Sequence, residues 1–320
     1  SGIPAWIYGG SSKKLISKND AVVLTIKSNQ KIKENNLTEE KIIVRVNNKI
    51  EENAIVNIKN CTNGEILSCD IEVSNLINTG NINLLIEEKT LVNENDEASR
   101  TTLIATDVKV DNEGPILVYK GKTNTNKNIK YATRKDTIVI KLEATDENYG
   151  SEELTVEDIK VLIGGKEETL TKTISKKSIT KGISYEITLT NIEGNGDISI
   201  VVSPNKIKDT LGNSNKQVVI SPGVKVDNNA PVIEYNGNGN TGYSKYAEVE
   251  IKVKESETGI NKDSLKYKWT TTPEGSGEKK YSNNATVRID NVTGEYYLIA
   301  EACDNAGNCV ICSEDQAVHI

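Results

Sequence analysis

Apolar and polar residues alternate with a period of two in three separate stretches of the chain: Val22, Leu24 and Ile26; Ile138, Ile140 and Leu142; Val249, Ile251 and Val253. This is the period of a strand with one buried face. A second register follows each stretch without gaps, in LTEEKIIVRV from Leu37, LTVEDIKVLI from Leu154 and INKDSLKYKW from Ile260. It predicts an apolar anchor, a polar helical turn and a further strand. The inward positions of that strand are Ile42, Val44 and Val46, then Ile159, Val161 and Ile163, then Leu265, Tyr267 and Trp269. Asn47-Asn48 and Gly164-Gly165 come directly after the first two of these strands, and both pairs suit hairpin turns that need positive φ. A glycine then opens a last alternation: Gly80, Ile82, Leu84; Gly196, Ile198, Ile200; Gly294, Tyr296, Leu298.

The same recurrence governs the openings. PAWIYGG at Pro4, PILVYKG at Pro115 and PVIEYNG at Pro231 lie about one domain length apart. The two internal openings are preceded by matching linkers, TDVKVDNEGP and PGVKVDNNAP. In each, Val-Lys-Val carries strand periodicity, Asp-Asn favours a turn, and proline suits the start of an edge strand. Five features therefore repeat in one order, with about seven short strands per unit and no long helical period. The expectation is an all-β chain of three tandem immunoglobulin-like β-sandwiches, at residues 1–112, 113–228 and 229–320. Linkers of a few residues imply an elongated arrangement, a monomeric rod on the order of 110 Å long.

Two further motifs, KDTLGN at Lys208–Asn213 and CDNAGN at Cys303–Asn308, stand near the ends of the second and third units. Together with VDNEGP and VDNNAP they resemble the tandem bacterial Ig-like repeats of Gram-positive cell-surface proteins. The first unit departs from the pattern, with NENDEAS at residues 93–99 where the Asp-x-x-Gly-Asn turn should be. The resemblance implies secreted or surface-displayed repeats that act as stalks or adhesive modules, with a host protein or glycan as partner in the adhesive case.

Composition narrows the function classes. Charged residues at 27% and apolar residues at 36% describe a globular chain. The net charge of −7 with scattered lysines argues against a nucleic-acid surface, which needs clustered positive charge. No apolar run approaches the roughly 18 residues that a membrane span requires. The absence of methionine, the initiator included, and Ser1-Gly2 at the start lead us to expect a chain excised from a longer precursor. One histidine in 320 residues removes most catalytic triads, and no HExxH, GxSxG or phosphate-cradling glycine loop is present, so we expect no enzyme.

The five cysteines fall in the first and third units. Cys303 and Cys309 flank the DNAGN turn, which sets them side by side on the outer face as a hairpin disulfide. Cys61 and Cys69 bracket TNGEILS and form a second expected bridge, although a two-residue Asn-Gly turn would set Cys61 opposite Ile66 instead. Cys312 is left over, with a parity that points it inward. Disulfides imply an oxidising, extracellular setting. Zinc on Cys303, Cys309 and Cys312 is the competing reading, with His319 at a frayed end as the available fourth ligand.

Sandwich strand order brings the first strand's start, the loop after the second strand and the loop before the last strand to one end. In the second unit that end gathers Asp111, Asp146, Glu147 and Asp209; in the third it gathers Asp227, Glu255, Glu257 and Asp304. Calcium takes six to eight oxygens from such groups, and an ion there would stiffen the inter-domain joint. Alternatively, each Asp of D-x-x-G-N only accepts hydrogen bonds from its own turn. The first unit has KSNQ in place of the acidic loop, so calcium is expected at the two internal joints alone. Trp269 reads as core, whereas Trp6 and Tyr8 are candidates for an exposed, sugar-stacking pair.

Overall fold

The computed structural model describes residues 2–237, 239, 242–314 and 316–320. Ser1, part of the expected excision remnant, lies outside the described residues. By compactness the chain divides into two units. The first comprises Ser1–Pro115 with the loop segments Asp146–Glu152 and Ile207–Asn215. The second comprises Ile116–Thr145, Glu153–Lys206 and Lys216–Ile320.

In the first unit the strands are β1 (Trp6–Ser11), β2 (Leu15–Ile16), β3 (Ala21–Ser28), β4 (Ile32–Asn35), β5 (Ile42–Val46), β6 (Lys49–Ile50), β7 (Ile55–Asn63), β8 (Leu67–Ser74), β9 (Gly80–Ile86), β10 (Leu91–Asn93) and β11 (Thr102–Val110). One sheet runs β1-β3-β8-β7 and the other β2-β11-β9-β5-β6, with β10 paired to β4. Val22, Leu24 and Ile26 of β3 meet Ile82 and Leu84 of β9 and Val44 and Val46 of β5 in a single apolar cluster. Alternation on both sheets is what makes a sandwich, since each inward face buries the other.

The second unit holds two sandwiches. The strands of the earlier one are β12 (Ile116–Asn124), β13 (Tyr131–Ala132), β14 (Ile138–Thr145), β15 (Ile159–Ile163), β16 (Lys166–Glu167), β17 (Thr171–Ile179), β18 (Gly182–Thr190), β19 (Gly196–Val202), β20 (Val218–Ile220) and β21 (Lys225–Val226). Its sheets, β12-β14-β18-β17 and β13-β21-β19-β15-β16, repeat the strand order of the first. Those of the later sandwich are β22 (Val232–Asn236), β23 (Tyr246–Lys254), β24 (Ile260–Thr270), β25 (Lys279–Lys280), β26 (Ala285–Asp290), β27 (Glu295–Asp304), β28 (Cys309–Ser313) and β29 (Val318–His319). They form β22-β23-β26 and β25-β24-β27-β28, with β29 beside β27. The chain is thus three tandem Ig-like β-sandwiches.

Local chemistry explains the repeats. Asn47-Asn48 and Gly164-Gly165 all take positive φ and close the β5–β6 and β15–β16 hairpins. The polar turns before β5 and β15 are short 3-10 helices, Glu39–Lys41 and Val156–Asp158. In the third repeat no 3-10 helix forms: the turn residues fall inside β24 (INKDSLKYKWT), whose register shifts between Asn261 and Lys266. Asn261 pairs with Cys303 and Lys266 with Glu301, so residues 262–265 stand opposite Ala302 alone and the polar turn persists as a bulge in the strand.

Candidate functional site

The D-x-x-G-N turns are built identically. Asp209 Oδ1 accepts from the backbone N–H groups of Leu211 and Asn213, both at 2.9 Å. Asp304 Oδ1 accepts from Ala306 at 3.0 Å and Asn308 at 2.9 Å. Gly212 and Gly307 sit at positive φ, which lets each turn fold back on its aspartate. The terminal asparagine then reaches beyond the turn. Asn213 Nδ2 donates to Asp209 Oδ2 (3.0 Å) and to the Asp111 carbonyl (2.7 Å), and Asn308 Nδ2 donates to Asp304 Oδ2 (2.8 Å) and the Asp227 carbonyl (2.7 Å).

The linker aspartates meet these turns with their backbone carbonyls and turn their side chains to the loop after the second strand. Asp111 Oδ2 accepts from Asn148 Nδ2 at 2.6 Å, and Asp227 Oδ2 accepts from the Thr258 hydroxyl at 2.6 Å. Their Oδ1 atoms cap the backbone N–H of Glu113 and Asn229. In the loop after the second strand, Asp146 Oδ1 accepts from Asn148 N at 2.7 Å, and Glu255 accepts from Glu257 N and Gly259 N.

The result is two carboxylate triads, Asp111–Asp146–Asp209 within the first compact unit and Asp227–Glu255–Asp304 within the second. In each, one oxygen per residue lies within 4.8 Å of the others. Asp111, Asp209, Asp227 and Asp304 are all buried. Glu147 and Glu257, the other two sequence candidates, stay outside the triads. Burial pushes the Asp146 carboxyl up to about 6, with added repulsion from Asp111, Asp209 and Glu113. Burial likewise pushes Asp304 up to about 6, and Asp227 beside it acts in the same direction. Such oxygen-only sets suit a hard cation such as calcium, with carbonyls and water completing the shell. Asn148, Asn213, Thr258 and Asn308 position the acids and were missed as such in the sequence, although the last residue of D-x-x-G-N was the available signal.

The first sandwich shows what the turn requires. Asn93 occupies the aspartate's place in NENDEAS, and its Oδ1 accepts from Asn95 N (3.0 Å) and Glu97 N (2.9 Å). Asp96, at positive φ, takes the glycine's role. Asn93 Nδ2 donates to Gln30 Oε1 at 3.0 Å and the Gly2 carbonyl at 3.2 Å. Asn93 Nδ2 also donates to Glu97 Oε1 at 3.2 Å, so donor and acceptor are exchanged relative to the other two turns, where the second oxygen of the aspartate receives the Asn213 or Asn308 amide.

Both disulfides are present. Cys303 and Cys309 face each other across β27 and β28 with Cα atoms 4.0 Å apart, and Cys61 and Cys69 face each other across β7 and β8 at 4.1 Å. The hairpin loop before β8 is Gly64-Glu65-Ile66, not the two-residue turn, because Asn63 pairs with Leu67; this sets Cys61 opposite Cys69. The disulfide leaves Cys303 and Cys309 unavailable as zinc ligands. His319 is also not frayed: it pairs in β29, and its Nε2 lies 3.1 Å from Glu295 Oε1. Cys312 packs against the third core, as its parity predicts. Trp6 is 3% exposed and its Nε1 donates to Thr90 Oγ1, while the Tyr8 hydroxyl donates to Asp107 Oδ1 at 2.6 Å. Trp6 is a core residue, so Trp6 and Tyr8 form no exposed sugar-stacking pair. Trp269 packs against the third core as expected.

Comparison with known proteins gives the following. No protein-family model matches the chain, and no curated protein matches it. Among solved structures it is similar to the three-domain ectodomain (Ig1–Ig3) of mouse nectin-like molecule 4, at 11% identity and a TM-score of 0.31 over 95% of this chain and 96% of that one. It is also similar to fibronectin(III)-like modules of Clostridium thermocellum CbhA, at 13% identity and a TM-score of 0.26 over 62% and 94%. The N-terminal part of the bacterial S-layer protein SbsC matches at 8% identity and a TM-score of 0.23 over 71% and 44%. The Ig-like assignment rests on the sheet orders and cores above. Among the described residues no helix is long and apolar enough to cross a membrane.

Proposed function

We propose that the chain is a non-catalytic extracellular spacer of a bacterial surface protein, of the Gram-positive type, projecting an adhesive or catalytic head. The observation that carries this reading is the Asp227-Asn228 linker inside the second unit. Asn228 Nδ2 donates to the carbonyls of Ile192 and Gly194, and its Oδ1 accepts from Arg134 N, which fastens it to the sandwich before it. Asp227 is held by Thr258 and Asn308 of the sandwich after it. A linker bonded on both sides has little freedom left, which suits a part whose output is reach. Calcium in the two triads, offsetting two of the three carboxylate charges in each, would fasten such linkers further. The two disulfides fit an oxidising compartment.

A second reading is a module that itself binds a host protein or glycan. A glycan array and a pull-down against host extracellular proteins separate the two. The spacer reading predicts no saturable binding by residues 1–320, and clean saturable binding of a glycan or host protein would overturn it.

A further inference from the structure

Within the second compact unit, the joint between the second and third sandwiches carries a fastening that lies off the linker. β12 and β13 are joined by six residues, TNKNIK at 125–130. Three side-chain amides along this stretch each accept from the backbone N–H two residues on. Asn124 Oδ1 accepts from Asn126 N at 3.0 Å, Asn126 Oδ1 from Asn128 N at 2.9 Å, and Asn128 Oδ1 from Lys130 N at 3.2 Å. Asp136 braces the loop from behind: its Oδ1 accepts from the Thr125 hydroxyl at 3.2 Å and its Oδ2 from Thr133 N at 2.7 Å.

With its oxygen engaged by Asn128 N, Asn126 has two amide hydrogens to place. Its Nδ2 donates to Asp136 Oδ2 at 2.9 Å and, 180 residues along the chain, to the Ala306 carbonyl at 2.9 Å. The flipped amide would set an oxygen against both of these acceptors, so the partners fix its orientation. Ala306 belongs to the D-x-x-G-N turn of the third sandwich. Its own N–H donates to Asp304, and Asn308 at the end of the turn donates to the Asp227 carbonyl. One turn therefore meets the linker through Asn308 and the preceding sandwich's loop through Ala306. Ala306 is 2% exposed although it stands outside the third apolar cluster, as a residue covered from another sandwich would be.

The first joint serves as the comparison inside the chain. There β1 and β2 are joined by Ser12, Lys13 and Lys14 alone. Among the described residues no hydrogen bond runs from these three to residues 209–213. Leu211, in the place of Ala306, is only half-buried. Bonds along a linker restrain the path of the chain, whereas a contact to one side of it restrains rotation about that path. Relative motion is the default where sandwiches share a small interface.

We propose that Asn126 fixes the orientation of the second sandwich on the third, so that the two move as one body. The braced loop presents its amide already oriented, which leaves little freedom to be lost when the bond to Ala306 forms. This fastening belongs to the fold and is independent of whether the three repeats act as a spacer.

The test uses residues 1–320, weakly aligned in solution, and backbone amide residual dipolar couplings. In the parent, one alignment tensor should describe the second and third sandwiches together. Asn126→Ala removes the donor and should raise the population of the undocked joint about fivefold. Asn126→Asp sets an acceptor against the Ala306 carbonyl and a charge beside Asp136, and should require a separate tensor for each sandwich. Asn128→Ala keeps the N–H that Asn126 accepts from, and should leave the single tensor intact. Melting temperature verifies the fold of each variant. Two tensors in the parent, or one tensor in all three variants, would overturn the proposal; in the latter case the linker alone sets the orientation. An equal change in Asn128→Ala and Asn126→Asp would also overturn it, because the loop's shape and not the Asn126 bond would then be responsible.

Discussion

Asn93, Asp209 and Asp304 occupy one position in three copies of one turn, and their side chains accept the same two backbone donors. The comparison separates what a turn needs from what a charge adds. Asp304→Asn should keep the Oδ1 acceptor but set its own Nδ2 against the Asn308 Nδ2 donor, and so cost about 1–3 kcal/mol of stability in chelator. Any rise in melting temperature on adding calcium should shrink in the same variant. Asp304→Ala should strand the buried N–H groups of Ala306 and Asn308 and cost about 1–3 kcal/mol in denaturant melts. Glu314 makes a different residue-scale prediction. It is buried, its Oε1 accepts from Leu298 N at 3.0 Å, and its Oε2 has no partner among the described residues. Burial pushes its carboxyl up to about 7, against the opposing hydrogen bond from Leu298. The folded state therefore binds this proton more tightly than the unfolded chain, so its contribution to stability is complete below the ordinary carboxylate range and is lost as pH rises through about 7. Melting temperature of the third sandwich should fall by several degrees between pH 5 and 8, and Glu314→Gln should flatten that slope.

Elements were legible wherever period and turn chemistry agreed. Every inward position expected in β3, β14 and β23 is buried, and so are those of β5 and β15. Tyr267 and Trp269 in β24 are only half-buried, because the sheet facing them has three strands instead of four. The missing fourth strand was not legible: counting strands from the first two repeats carried its existence into the third, where TTPEGSGEKK has no strand period. The bulge in β24 lies at the positions that form 3-10 turns in the first two repeats, and pairing on both sides of it, Asn261 with Cys303 and Lys266 with Glu301, draws the turn into the strand. Gly196 shows how tightly the repeated elements fit. Its φ is 122°, and a Cβ there would lie 2.6 Å from the Gly164 Cα. Gly196→Ala should therefore cost more than about 1 kcal/mol in a denaturant melt. Reduction of a hairpin disulfide acts through the unfolded chain, and Cys303→Ser/Cys309→Ser should cost about 2–3 kcal/mol for so short a loop.

At the scale of the molecule, three proline-led openings corresponded to three sandwiches because each opening starts an edge strand whose partner, β3, β14 or β23, lies in the same repeat. The acid triads were legible in part. Loop order brought Asp111, Asp146 and Asp209 together, and likewise Asp227, Glu255 and Asp304, whereas Glu147 and Glu257 neighbour a member in sequence but stay outside. What strand order leaves open is which of two adjacent acids turns inward, because that depends on loop hydrogen bonds such as those at Asn148 and Gly259. If calcium occupies the triads, chelation should lower the melting temperature, and an unchanged value would retire the ion. The spacer reading is tested most directly by small-angle X-ray scattering of residues 1–320 in solution. A spacer of three modules end to end, each of strand-limited length, should give a maximum dimension on the order of 110 Å. A radius of gyration near the roughly 20 Å of a compact globule of this size would contradict it.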